Sequence, residues 1–257
     1  MGFKQRWLEL WLRDQEELEP DRKLKVESGF NVRELGGYLV EDGVTSYRRF
    51  LRSGGLDMLS AQDQRRLYNY GVRMVVDLRG YHEVSIAGDK LSKMPEVRTL
   101  HAPLYDMNLS DPALERNDSD GSYWTLGYLT MLANHDVVRD VFSFFATASP
   151  DDCVLFHCAA GMDRTGMVGM LLLGLVGANR EQVIADYLYS FAPIQEVDAL
   201  AYKGVKPVSY ELDLRLEAIT TVLDRLKEGY GTTESYLLSC GVTADELSAV
   251  RRHLLAE

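Results

Sequence analysis

The sequence predicts an α/β fold in which strands alternate with helices. Three observations lead there. Two apolar runs of strand length, Val72 to Leu78 and Cys153 to His157, are separated and followed by longer helical patterns. The longest apolar stretch, Met167 to Ala178, is too short to span a membrane and reads as a buried helix. With 257 residues, 46% hydrophobic and 26% charged, the chain is long enough to bury a substantial core.

Taken in order, Phe3, Trp7, Leu10, Trp11 and Leu18 recur at helical spacing, with Asp14 on the same side. This predicts an amphipathic helix in an N-terminal extension, residues 1–25, whose apolar face either packs on the domain formed by residues 26–257, the simpler reading, or meets a partner or a second copy of the chain. Lys25 to Tyr47 carries two strand-like pieces around Gly36-Gly37 and Asp42-Gly43, the second a hairpin signal. Ser60 to Tyr70 reads as a helix with Ser60 as N-cap and Gly71 as its stop. Val72 to Leu78 and Glu96 to Leu104 follow as strands. Asp106 to Ser122 is rich in Asp, Asn and Ser and reads as a long, lid-like loop. Tyr123 to Leu132 and Asp136 to Ala146 are helical, Cys153 to His157 is a strand, and Thr165 to Gly177 is the buried helix. Helical segments and turns occupy the remainder.

The net charge of -11 excludes a nucleic-acid binder, which needs a basic footprint. It leaves room for a small phosphorylated substrate, because local cations override a weak global field. Cys153, Cys158 and Cys240 form no disulfide framework and suit a reducing compartment. Along a strand, Cys153 and Cys158 lie roughly 16 Å apart, too far to bridge. The charged N-terminus has no secretory h-region, and Arg6 breaks a myristoylation pattern, so a cytoplasmic location is expected. His82, His101, His135 and His253 show no ligand spacing, and no metal is expected.

The chemistry concentrates in His157-Cys158-Ala159-Ala160-Gly161-Met162-Asp163-Arg164-Thr165-Gly166, between an apolar strand and an apolar helix. Five residues separate the cysteine from the arginine. A loop of that length curls so that the N–H groups of Ala159, Ala160, Gly161 and Met162 form an anion nest, to which the helix adds its positive end. Gly161 permits backbone angles other residues resist. Arg164 can grip two phosphate oxygens with its planar fork. These positive surroundings favour the thiolate of Cys158, the nucleophilic form. Thr165 can donate its hydroxyl to the sulfur as it leaves. Gly161 to Gly166 also spells G-x-x-x-x-G, but Met167 and Val168 stand where a nucleotide-binding loop needs Lys and Ser or Thr.

This segment resembles the H-C-x-x-G-x-x-R-[ST] signature of the protein tyrosine phosphatase superfamily, in the H-C-x-A-G-x-D-R-T-G form of the bacterial atypical tyrosine and dual-specificity phosphatases, some of which also hydrolyse phosphoinositides. The resemblance continues through Asn31-Val32-Arg33-Glu34-Leu35-Gly36-Gly37-Tyr38, Leu51-Arg52-Ser53-Gly54 and Val75-Val76-Asp77-Leu78-Arg79, so it spans roughly Val26 to the C-terminus. It implies a three-layer catalytic domain, with a short central sheet and helices on both faces, that hydrolyses phosphate monoesters in two steps through a phosphocysteine, without a cofactor. Cys158 is then the nucleophile and Arg164 the clamp, and His157 orients backbone beside the cysteine. The substrate is a phosphorylated protein, phosphotyrosine first, with phosphoserine, phosphothreonine, phosphoinositides and inositol phosphates as alternatives. Many members carry Lys where Met162 stands. Its absence weakens the case for polyphosphorylated substrates and leaves a soft wall suited to an aromatic ring.

The leaving oxygen needs a proton, which a carboxylic acid can supply. Asp163 in the loop ranks first, then Asp77 at its strand end, then Asp106; Asp111, Asp118 and Asp120 share the lid-like segment. Arg52 and Arg79 either line the mouth and attract substrate or pair with an aspartate. Two other readings use the same residues: a phosphate-binding module without catalysis, which has no need of the thiol, and an arsenate reductase, which needs resolving cysteines that Cys153 and Cys240 are not evidently placed to provide.

Overall fold

The computed structural model describes residues 22–41, 43–106, 122–191 and 208–255. The predicted N-terminal helix and the lid-like segment from 107 to 121 lie outside the described residues.

Seven strands occur among them: β1 (Arg33–Glu34), β2 (Leu39–Val40), β3 (Gly43–Val44), β4 (Phe50–Ser53), β5 (Val72–Asp77), β6 (Arg98–His101) and β7 (Cys153–His157). The helices are α1 (Ala61–Tyr70), α2 (Tyr81–Ile86), α3 (Ser122–Ala133), α4 (His135–Phe145), α5 (Asp163–Leu175), α6 (Arg180–Tyr189), α7 (Val208–Tyr230), α8 (Thr233–Ser239) and α9 (Ala244–Leu255). The central sheet runs β1-β4-β7-β5-β6. Only the short β1 is antiparallel to its neighbour; the other pairs are parallel. β2 and β3 form a separate hairpin, as Asp42-Gly43 predicts.

The alternation of side chains across the strands builds two cores. On β7, Val154 and Phe156 join the larger one with Phe142, Phe145 and Leu171 of the helical layer. Cys153 and Leu155 point the other way, to Leu56, Leu59 and Leu67. Helices therefore cover both faces, as predicted. α1 begins at Ser60, whose hydroxyl accepts from the Asp63 N–H, and stops at Gly71, whose φ of 124° suits glycine.

The parallel strands β4, β7 and β5 end in step at Ser53, His157 and Asp77. In such a sheet the crevice beyond the carboxyl ends of the strands is where ligands bind. The segment from Cys158 to Met162 occupies that position.

Candidate active site

Leaving β7, the chain turns through Cys158 to Met162 and enters α5 at Asp163-Arg164-Thr165. Three successive carbonyls are held from outside this turn. Ala159 O accepts from Gly55 N at 2.8 Å. Ala160 O accepts from Asn31 Nδ2 at 3.1 Å. Gly161 O accepts from Asn31 Nδ2 at 3.2 Å and from an Arg52 terminal nitrogen at 3.0 Å. In a trans peptide the N–H of the next residue points opposite to the carbonyl. The N–H groups of Ala160, Gly161 and Met162 therefore face the inside of the loop, the arrangement of an anion nest at a helix start. Gly161 is essential to the curl. Its φ is +69°, and a Cβ there would sit 2.5 Å from Ser53 C and 2.6 Å from Gly54 N, both backbone.

A buried ionic cluster braces the loop from behind. Asp186 of α6 pairs with Arg52 and lies 3.6 Å from Arg33 Nε, and Tyr38 donates to it at 3.0 Å. Arg33 also donates to Asn31 Oδ1 and to Ser190 Oγ at 2.9 Å. Burial, then the neighbouring Arg52 charge, push Arg33 down to about 10. For Asp186, burial acts to raise the carboxyl, but the two guanidiniums outweigh it and hold it below its ordinary value. Of the two readings of Arg52, the structure supports pairing: its side chain is fully buried, so it lines no mouth. Arg79 likewise is spent on Asp77, with contacts at 2.6 to 3.1 Å, and on Ala87 O at 2.9 Å.

Arg164 sits in the first turn of α5, and its two terminal nitrogens meet both oxygens of Glu83, one of them at 2.8 Å. Glu83 reaches back to the Gly80 N–H at 2.7 Å, which fixes the carboxylate at the start of α2. Burial acts to raise Glu83, but the hydrogen bonds and charge of Arg164 hold it below its ordinary value. A guanidinium carries five N–H groups. An end-on pairing through one hydrogen of each terminal nitrogen leaves the Nε edge free for a phosphate.

The three ranked carboxylates occupy different settings. Asp163 Oδ1 accepts from Tyr128 Oη at 2.5 Å and from Arg215 Nη1, with Tyr187 Oη at 3.5 Å. Its side chain remains 13% exposed. Asp77 is locked to Arg79; burial raises it, yet the Arg79 hydrogen bonds and the His157 and Arg79 charges prevail and hold it low. It is a structural anion rather than a proton donor. Asp106 Oδ1 accepts from Tyr81 N at 2.8 Å and caps α2. Asp111, Asp118 and Asp120 lie outside the described residues.

His157 is fully buried, with Nδ1 3.3 Å from Cys158 O and Nε2 3.4 Å from Asp89 Oδ2. Thr165 Oγ1 is buried without a hydrogen-bond partner among the described residues, so no bond to the Cys158 sulfur is made here. The expectation for Met162 needs correction: its side chain is 5% exposed and packs in the larger apolar core, so it forms no open wall for an aromatic ring. Cys153 and Cys240 are buried and free, like Cys158. Among the described residues no group of three or more His, Cys, Asp or Glu is arranged to hold a metal ion.

Sequence reasoning passed over several residues. Asn31 and Arg33 stood in a quoted motif without a role. Glu83 carried a usable signal, a glutamate three residues after a helix-opening Gly80. Asp186 is a charge among the apolar Val183, Ile184 and Tyr187. Arg215 and Tyr128 had no local signal, because they reach the site only through tertiary packing.

A cysteine and an arginine in a carbonyl-out turn, opening a helix at the carboxyl end of a parallel strand, define the phosphate-loop class of cysteine-dependent phosphatases. The chain belongs to the tyrosine phosphatase family, whose model matches residues 24–256. It is similar to a protein of Cupriavidus necator named as a tyrosine-protein phosphatase, 28% identical over 88% of this chain and 86% of the relative. It is also similar to the triple specificity protein phosphatase PtpB of Mycobacterium tuberculosis, 28% identical over 84% of this chain and 89% of that one. A tyrosine-protein phosphatase of Nostoc commune is 29% identical over 80% of this chain and 74% of its own length. The chain is a cysteine-dependent phosphatase. Among the described residues no helix is long and apolar enough to cross a membrane.

Proposed function

We propose that the protein dephosphorylates phosphotyrosine in proteins, with Cys158 as nucleophile, Arg164 as clamp and Asp163 as the group that moves the proton. The Cys158 thiolate attacks phosphorus, forming the S–P bond as the ester P–O bond breaks. The leaving oxygen takes its electron pair and a proton from Asp163. Water then attacks phosphorus, its proton passes to Asp163, and the S–P electron pair returns to sulfur, releasing inorganic phosphate.

The observation that carries this reading is the set of outward-held carbonyls at Ala159, Ala160 and Gly161, which fixes an inward nest beside Cys158 before any substrate arrives. Asp163 is favoured over Asp77 because Arg79 already engages both oxygens of Asp77. The free, buried cysteines support a reducing, cytoplasmic location. One relative is named for triple specificity, so more than one substrate class belongs in the comparison.

A panel of phosphotyrosine, phosphoserine and phosphothreonine peptides with phosphoinositides tests the substrate class. The expected result is a kcat/KM for phosphotyrosine peptides at least tenfold above every other class, since phenols leave more readily than alcohols, and a factor of ten is about 1.4 kcal/mol of barrier. A phosphoinositide preference would overturn the substrate assignment while leaving Cys158 and Arg164 in place.

A further inference from the structure

We infer that Arg215 and Tyr128 are positioning residues that aim Asp163 for proton transfer. The inference rests on Asp163 being the proton-transfer group. Both act on the same atom. Arg215 Nη1 and Tyr128 Oη donate to Asp163 Oδ1, and Arg215 Nη1 lies 3.2 Å from Tyr128 Oη. The Tyr187 hydroxyl touches that of Tyr128 and closes the group. An oxygen already accepting from two strong donors is not the one that carries or receives the travelling proton. Only Oδ2 is left for that task, and a carboxyl tethered through one oxygen cannot rotate to exchange the two.

The tether is built for rigidity. Arg215 comes from α7, 3% exposed, with its guanidinium 3.6 Å from the centre of the Trp124 ring on α3. Tyr128, one turn further along α3, is fully buried. Two helices distant in sequence thus converge on the first residue of α5, next to Arg164. The helix end already favours the negative charge of this carboxylate, whose side chain is 13% exposed, so two further donors on one of its oxygens fix its orientation as well as its charge. The step itself is balanced within the site: the proton that Oδ2 gives to the leaving oxygen is recovered from the attacking water.

The test compares two leaving groups in the full-length protein. p-Nitrophenolate departs with little protonic help, whereas the tyrosine phenolate depends on it. Both substrates share the second step, so the comparison is of kcat/KM, which reports formation of the phosphocysteine: Asp163→Asn should lower it on phosphotyrosine by about 100-fold and on p-nitrophenyl phosphate by less than about tenfold, in line with the usual worth of general acid catalysis. Arg215→Met and the milder Tyr128→Phe, which keeps the ring in place, should show the same unequal loss in kcat/KM. Arg215→Lys should recover part of the phosphotyrosine rate. The pair Arg215→Met with Asp163→Asn should be no slower than Asp163→Asn alone, as expected of residues acting as one unit. If Asp163→Asn is selective but Arg215→Met and Tyr128→Phe lose equally on both substrates, the positioning role is wrong and Asp163 stands. If Asp163→Asn itself loses equally on both, Asp163 is not the proton-transfer group and the inference falls with it.

Discussion

Glu83 holds Arg164 end-on, with each carboxylate oxygen on a different terminal nitrogen. The pairing spans 81 residues of sequence and joins the first turn of α2 to the first turn of α5. It leaves the phosphate clamp charged, partly desolvated and held in one orientation.

Glu83→Gln keeps the size of the side chain but removes the charge that aligns Arg164. The expected loss in kcat/KM is about tenfold, worth about 1.4 kcal/mol, with a smaller change in substrate binding than in rate. Steady-state kinetics on p-nitrophenyl phosphate check this. Wild-type kinetics would mean the arginine aligns itself on substrate without help.

Gly161→Ala places a methyl group against the backbone of Ser53 and Gly54 in a left-handed conformation. The loop must shift outward to accept it, which misaligns the nest. We expect kcat/KM to fall at least about 100-fold, the scale seen when a preorganised anion donor is lost. Melting temperature measured alongside separates a displaced loop from an unfolded chain. Full activity would mean that the N–H groups do not contact the phosphate.

Asp77→Asn tests the anion beneath the loop by its pH dependence. The folded carboxyl is held below its unfolded value of about 3.9. Its contribution is therefore complete above that unfolded value and disappears as the pH falls through the folded one. At pH 7 the substitution should cost about 3 kcal/mol, the lower end for breaking a buried pair, because Arg79 keeps Ala87 O and the nearby Asp57. Wild type and variant should converge as the pH falls well below 4. Denaturant melts at several pH values measure this; a difference independent of pH would contradict it.

Much of this architecture was legible in the sequence where local chemistry decides the outcome. The strand Cys153 to His157, the capped helix from Ser60 to Gly71 and the loop through Arg164 each carry their own signal in consecutive residues. Two elements were not foreseen. β4 is too short to show a period, and its residues Arg52 and Ser53 are polar; it is a strand because β1 and β7 flank it. α2 is six residues long, and its function, carrying Glu83 to Arg164, exists only in three dimensions. The charged residues divide in the same way. Cys158 and Arg164 sit in one short motif, whereas Asp186, Arg33, Arg52, Tyr128 and Arg215 come together only through folding. The roles first weighed for Arg52 and Met162 as residues facing the substrate gave way because the loop turns its carbonyl side, and with it Arg52, toward the interior.

On the proposed mechanism, Cys158 attacks phosphorus from a nest that binds phosphate without it. Cys158→Ser tests both halves in one variant, with turnover measured on p-nitrophenyl phosphate and binding measured by calorimetry with a phosphotyrosine peptide. Turnover should fall by at least about 1,000-fold, the scale for losing a covalent nucleophile, with peptide affinity kept within about tenfold because Arg164 and the loop N–H groups remain. Turnover within tenfold of wild type would contradict nucleophilic attack by Cys158.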